Sequence, residues 1–287
     1  MHWTGRLFLT AALTASCLAG VPAVSAADAA TAPAAEAVQQ QSAQQLADAE
    51  TMALLWMRTA AEYRALCYQG YNAAMMEIDR ALAEPPADGK PLAIVLDCDE
   101  TVVDNTPALA RAAVNGNGRY TSLWWRDWIV NGEAYTMPGA ADFLNEVHQK
   151  GVEIFYVTNR LESTSYDSSE RNLRALGFPT VDREHLLLAV DTGNKQGRFD
   201  KVAETHHVIL YMGDNAGDLP IGTYGKGQVE RNAIIDANKD AFGTKYIVFP
   251  NPAYGAWVSA LAQNYLGLTP EERDAANRAL LLMQARP

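Results

Sequence analysis

Asp97-Cys98-Asp99 places two carboxylates two residues apart, directly after the apolar run Leu92-Ala93-Ile94-Val95-Leu96. A run of that length and composition reads as a buried strand. Carboxylates at the end of a buried strand are costly unless they are paired or hold a metal. Their types fit metal-assisted phosphoryl transfer with one aspartate as nucleophile. An attacking carboxylate divides one hard displacement into two easier ones. Three further polar clusters follow apolar runs in the same way: Thr158-Asn159-Arg160, Lys195 within 194–198, and Gly213-Asp214-Asn215-Ala216-Gly217-Asp218. Each alone is common in turns. All of them in this order, each after a strand-like run, are hard to obtain by chance.

The elements that must position these residues are readable. Strand-like runs at 92–96, 153–158, 186–190, 208–212 and 246–249 alternate with amphipathic stretches at 140–150 and 168–176. That alternation predicts an α/β fold, a mostly parallel sheet with helices on both faces. In such sheets the ligand site lies beyond the carboxyl ends of the strands. Gly151 and Gly177 stand where a left-handed cap closes a helix. Upstream, Tyr63, Leu66, Cys67, Gly70, Tyr71, Ala74, Met75, Ile78 and Leu82 recur at helical spacing and predict a long helix over 44–82 with one core-facing stripe. Pro85-Pro86-Ala87-Asp88-Gly89 ends it.

The 287 residues are 48% hydrophobic and 20% charged, ordinary values for a globular chain. The net charge of −11 argues against a nucleic-acid groove. It permits an anionic small-molecule substrate, because a bound cation would dominate the local field. Arg6 followed by Leu7-Phe8-Leu9-Thr10-Ala11-Ala12-Leu13 reads as a secretory signal, too short for a spanning helix. Two endings stay open. Val24-Ser25-Ala26 before Ala27 fits cleavage to a soluble exported protein, with 1–26 removed. Leu13-Thr14-Ala15-Ser16-Cys17 is an imperfect box for a lipid anchor at Cys17, with Leu13 one place too far away. Residues 27–43, rich in Ala and Gln, are expected as a flexible tether, leaving 44–287 as a single domain. Cys67 and Cys98 read as separate buried thiols rather than a disulfide. The histidines form no metal or triad pattern, and 222–227 lacks the spacing of a phosphate-binding loop.

The ordered set resembles the haloacid-dehalogenase superfamily of phosphatases. It is most similar to the class C bacterial acid phosphatases, exported enzymes often built as outer-membrane lipoproteins. The resemblance rests on Leu96-Asp97-Cys98-Asp99-Glu100-Thr101-Val102-Val103-Asp104-Asn105, Val157-Thr158-Asn159-Arg160, Lys195 with Arg198, and Gly213-Asp214-Asn215 with Asp218. Trp56-Met57, Ala61-Glu62-Tyr63 and Pro250-Asn251-Pro252-Ala253-Tyr254-Gly255-Ala256-Trp257 support it. It implies a Rossmann-like core with a small helical cap built from 44–84 and 105–135. It also implies an exported, Mg2+-dependent acid phosphatase acting on phosphomonoesters (5′-nucleotides, nicotinamide mononucleotide, aryl phosphates) through an aspartyl-phosphate. The expected place is the periplasm or outer membrane, and members often pair as homodimers.

The residues then take roles by type. Asp97 is the expected nucleophile. Asp99 protonates the leaving oxygen and then activates water, and by resemblance binds the metal through its backbone carbonyl; the rival role for its side chain is a second carboxylate ligand. Asp97 and Asp214 supply carboxylates to Mg2+, an ion suited to hard oxygens. Asp218 orients a metal-bound water, binds the metal directly, or caps a helix. Thr158 offers a hydroxyl and an N–H to the phosphoryl group, and Lys195, with Lys201 as its rival, offers a positive charge. Asn159 and Arg160 hold the phosphate or brace the loop. Trp125 and Tyr254 resemble positions that stack a substrate ring; a one-residue slip would make it Trp124. Two rival functions are a phosphotransferase on the same chemistry and a non-catalytic nucleotide-binding surface lipoprotein.

Overall fold

The computed structural model describes residues 26–115 and 122–283. The signal segment through Ser25, including Cys17, and Tyr120 of the aromatic stretch lie outside the described residues. The strands are β1 (Leu92–Leu96), β2 (Val103–Asp104), β3 (Tyr135–Thr136), β4 (Glu153–Leu161), β5 (Leu186–Ala189), β6 (His207–Gly213) and β7 (Tyr246–Val248). The helices are α1 (Ala26–Thr59), α2 (Ala61–Ala83), α3 (Thr106–Val114), α4 (Ser122–Asn131), α5 (Ala140–Gln149), α6 (Glu162–Ala175), α7 (Gln196–Thr205), α8 (Gln228–Ala237), α9 (Ala256–Ser259) and α10 (Pro270–Leu281).

Five strands form one parallel sheet in the order β5-β4-β1-β6-β7, and β2 and β3 form a separate antiparallel pair. Strand side chains alternate between faces, and both faces are apolar, as a fully covered parallel sheet requires. Ile94, Leu96, Ile154, Tyr156, Leu186, Leu188, Leu210, Met212 and Ile247 point into one core with α2, α5 and α6. Ala93, Val95, Phe155, Val157, Leu187, Tyr211 and Tyr246 point into the other, with Phe199 and Val202 of α7. The class expected from the sequence, a parallel α/β sheet flanked by helices, is the one observed. Gly151 and Gly177 take φ of 75° and 79°, left-handed closures after α5 and α6.

Three local expectations need correction. Residues 27–43, expected as a tether, are helical within α1; Ala and Gln are strong helix formers as well as common linker residues. The expected single helix over 44–82 is broken at Ala60, whose φ of −74° and ψ of 132° are extended. The stretch 44–84 divides at that break: α1 packs on α3 of the insertion, where Arg58 Nη1 donates to Thr106 Oγ1 at 3.2 Å. Helix α2 lies on the sheet, packed on α5, β6 and β7, with Tyr63, Cys67, Tyr71, Ala74 and Ile78 buried. The insertion between β1 and β4 carries the remaining expected cap elements, α3 and α4, clasped by the β2–β3 pair. Cys67 and Cys98 are buried free thiols. His185 is held between Asp182 at 2.8 Å and Glu153 at 3.1 Å, a structural bridge. Among the described residues, no helix is long and apolar enough to cross a membrane.

Candidate active site

Asp97 continues the pairing of β1 by donating its N–H to the Met212 carbonyl on β6 at 2.9 Å. Its side chain therefore emerges at the carboxyl edge of the sheet. The chain then turns sharply. Cys98 O accepts the N–H groups of Val102 and Val103, both at 2.9 Å, and Glu100 adopts φ of 54°. A side-chain-bearing residue in that left-handed region needs support. Glu100 N–H donates to Val103 O at 2.8 Å, and the Tyr71 hydroxyl, from α2, donates to Thr101 O at 2.5 Å.

Asp97, Asp214 and Asp218 bring carboxylate oxygens within 4.8 Å of one another. Asp214 directly follows β6, and Asp218 closes the helical turn 216–218. Gly213 permits the convergence: a Cβ there would stand 2.2 Å from Asp218 Cβ. The two oxygens of Asp218 divide their work. Oδ2 accepts the Asn215 N–H at 2.9 Å, completing a capping box, while Oδ1 meets Lys195 Nζ at 2.7 Å. Asp218 is thus not the expected N-cap, which is Asn215, but the third helical residue of the capping box. Lys195, at the start of α7, also donates to Asp97 Oδ1 at 2.5 Å. Asp214 Oδ2 accepts from Asn251 Nδ2 at 2.8 Å.

The charges do not balance within the protein. Three buried or half-buried carboxylates face one ammonium, leaving two negative charges. Hard oxygens with that residual charge fit a divalent cation such as Mg2+. Among the protein groups alone, burial pushes Asp97 up to about 7, opposed by Lys195 and reinforced by Asp218 and Asp99. Burial, then Asp218 and Asp97, pushes Asp214 well above the usual carboxylate range. Burial opposes the charge on Lys195, yet Asp218 and Asp97 outweigh it and raise the ammonium above the usual lysine range.

The Asp99 carboxylate stands outside this trio. Arg160 grips it with Nη2–Oδ1 at 2.6 Å and Nε–Oδ2 at 3.1 Å, and Asn105 Nδ2 adds a third donor at 3.0 Å. Arg160 lies within β4, which runs to Leu161 rather than ending at Thr158. Thr158 is buried on the same strand, and its hydroxyl accepts the Arg160 N–H at 3.3 Å. Arg198 ties this edge to α7: Nη1 donates to Thr158 O at 2.5 Å and Nη2 to Asn159 Oδ1 at 2.6 Å. Asn159 is thereby engaged with Arg198 and with Gly193 O, which its Nδ2 reaches at 2.9 Å.

The aromatic candidates are spread over two elements. Trp125 is half-buried on α4 beside Trp124, ring centres 6.1 Å apart. Tyr254 follows β7. Its N–H donates to Asn251 Oδ1 at 3.2 Å, so the residue that steadies Asp214 also sets the Tyr254 turn. Asn251 had a signal in the sequence: Pro250-Asn251-Pro252 ends the fifth sheet strand, where the strand-end rule points. Asn105 stood at the end of the first motif of the resemblance, but with no role attached to it.

The family described as HAD superfamily, subfamily IIIB (Acid phosphatase), matches residues 11–257. The structure of the class C acid phosphatase from Bacillus anthracis is similar, with 39% identity, a TM-score of 0.77, and coverage of 84% of this chain and 98% of that one. The same Bacillus anthracis enzyme with tungstate bound matches at 38% identity, TM-score 0.77 and the same coverage, 84% and 98%. With a parallel sheet that gathers three carboxylates and a lysine at its strand ends, and a match spanning most of its length, the chain belongs to the subfamily IIIB acid phosphatases of the HAD superfamily, phosphomonoester hydrolases.

Proposed function

We propose that the protein is an exported, Mg2+-dependent phosphatase that cleaves 5′-nucleotides, nicotinamide mononucleotide and aryl phosphates through a phosphoryl group carried on Asp97. The observation that carries this reading is the convergence of Asp97, Asp214 and Asp218 with Lys195 at one edge of the sheet. Asp97 attacks phosphorus, and the bond to the leaving oxygen breaks as the bond to the Asp97 carboxylate forms. Asp99 gives a proton to that oxygen, then takes one from the water that releases phosphate and restores Asp97. Lys195 and the Thr158 N–H and hydroxyl face the charge on the transferred group. Asp97, Asp214 and Asp218, with the Asp99 carbonyl, would hold the ion. Its positive charge would offset the repulsion between an anionic nucleophile and an anionic substrate. Asn159 and Arg160 brace the site through Arg198 and Asp99, as their contacts support. Trp125 and Tyr254 offer ring faces to a base or nicotinamide. The signal-like segment supports export to the periplasm or outer membrane, with cleavage after Ala26 or a lipid on Cys17 as the two forms.

A phosphate-release panel over nucleotides, nicotinamide mononucleotide and sugar phosphates tests the substrate class; release confined to sugar phosphates would contradict it. Metal removal has a second readout. In chelator, turnover stops and Mg2+ restores it. Folding stability in chelator also falls as pH rises from about 4, the ordinary value of an aspartate, toward about 7, the value to which burial pushes Asp97. Over that window the folded state holds a proton that the unfolded state has released, so stability declines with pH. Added Mg2+ flattens the slope. A melting temperature independent of pH in chelator would speak against the charge imbalance.

Gly213→Ala lowers kcat by about 10²-fold, the scale of an ångström-sized misplacement. The new Cβ would displace Asp218, which it meets at 2.2 Å, from Lys195. Near-normal kcat in this variant would show that Asp218 tolerates the shift.

A further inference from the structure

Asn105 joins the inserted helices to the residue read above as the proton donor. It is fully buried and every polar group of its side chain is used. Oδ1 accepts the Trp128 indole N–H at 2.7 Å. Nδ2 donates to Asp99 Oδ1 at 3.0 Å and to Glu100 Oε2 at 3.3 Å. The backbone N–H donates to Glu100 Oε1 at 2.8 Å. The amide can sit only one way round. An indole N–H is a donor and nothing else, so it must face the carbonyl oxygen; the amide N–H groups then face the carboxylates. Turning the amide over would set donor against donor and acceptor against acceptor.

Trp128 belongs to α4 and is itself fixed, buried in the main core with the Arg111 guanidinium 5.1 Å from its ring centre. Asp99 is therefore held from two sides. Arg160 grips it from the sheet, and Asn105 from the insertion.

We propose that Trp128 and Asn105 form a positioning relay, by which α4 orients the Asp99 carboxyl for proton transfer to the leaving group. The proposal rests on the reading of Asp99 as proton donor. Its signature is selectivity between leaving groups. An alkoxide must be protonated as it departs, whereas p-nitrophenolate departs without a proton. A general structural lesion slows both esters alike.

The test compares kcat/KM on glycerol phosphate and on p-nitrophenyl phosphate. Trp128→Phe keeps a ring and removes the donor. The alkyl-to-aryl ratio falls about tenfold, a tenth or less of what a positioned general acid supplies. Trp128→His restores the ratio, because its Nε2–H occupies the same ring position as the indole N–H. Asn105→Ala, which removes the middle of the relay, lowers the ratio as Trp128→Phe does and gives an independent reading if Trp128→Phe does not fold. Equal losses on both esters in the Phe and Ala variants, or a His variant no better than Phe, overturn the relay. Asp99→Asn separates the two claims. If it lowers both esters equally, Asp99 is not the donor and the relay falls with it. If it is selective and the Trp128 and Asn105 variants are not, only the relay is overturned.

Discussion

Replacing Asp97 with Asn removes phosphate release, by about 10³-fold or more, the scale seen when a covalent nucleophile is lost, while the fold survives. Asn has the same shape and an amide oxygen that can still accept from Lys195 Nζ, now 2.5 Å from Asp97 Oδ1. An amide does not attack phosphorus, so chemistry stops although the substrate pocket stays formed. Stability does not suffer, because Asp97 is a carboxylate that burial already disfavours, its pKa pushed up to about 7. Lys195 retains Asp218 at 2.7 Å. The expected result is a melting temperature at neutral pH equal to or above that of the wild type, with no phosphoryl-enzyme trapped on acid quenching. Turnover within tenfold of wild type, or a labelled phosphoryl group on another residue, would remove Asp97 from the nucleophile's place.

The sheet was open to reading because its strands are short apolar runs bounded by Gly, Pro and polar clusters, and parallel strands covered on both faces must be apolar throughout. Leu92–Leu96 and Tyr246–Val248 lie within a residue of the expected runs. The site trio and Lys195 were legible for a related reason. Each follows a strand, and parallel strands all end on the same edge. The misread parts depend on distant partners. Periodicity identifies α2 as amphipathic but does not say whether its apolar face meets the cap or the sheet; contact with β6 and β7 decides that. Ala and Gln over 27–43 suit both a linker and a helix, and the structure takes the helix. Arg160 lies 61 residues beyond Asp99, so nothing local links the two, although their types permit the pair. Asn105 closes the first motif of the resemblance, yet no role for it is legible in the sequence. An asparagine before a helix usually reads as a cap, yet here its side chain turns away from the helix toward Trp128 and Asp99. The reading as a non-catalytic binding lipoprotein falls, because the chain belongs to a hydrolase family.

Lys195→Met separates stability from catalysis at the same site. Lys195 is 2% exposed and is the cation shared by Asp97 and Asp218. Removing one partner of a buried ionic cluster costs about 3–5 kcal/mol, because the remaining charges lose their compensation. The carboxylates answer by taking up protons, which limits the loss in acid and exposes it fully where they must ionise. In chelator, the urea midpoint of Lys195→Met therefore falls below wild type by much more at pH 8 than at pH 5. A second change that deletes one carboxylate, Asp218→Asn, returns most of the lost stability, since it removes the repulsion that the lysine had masked. It does not return activity. In the proposed reaction Lys195 faces the charge on the transferring phosphoryl group, and losing one such fixed donor costs about 10²–10³-fold in kcat. Stability and turnover thus move apart in the double variant. Equal midpoint losses at both pH values would show that Lys195 acts by packing rather than by charge. Recovery of turnover together with stability would show that its only task is to hold the carboxylates apart.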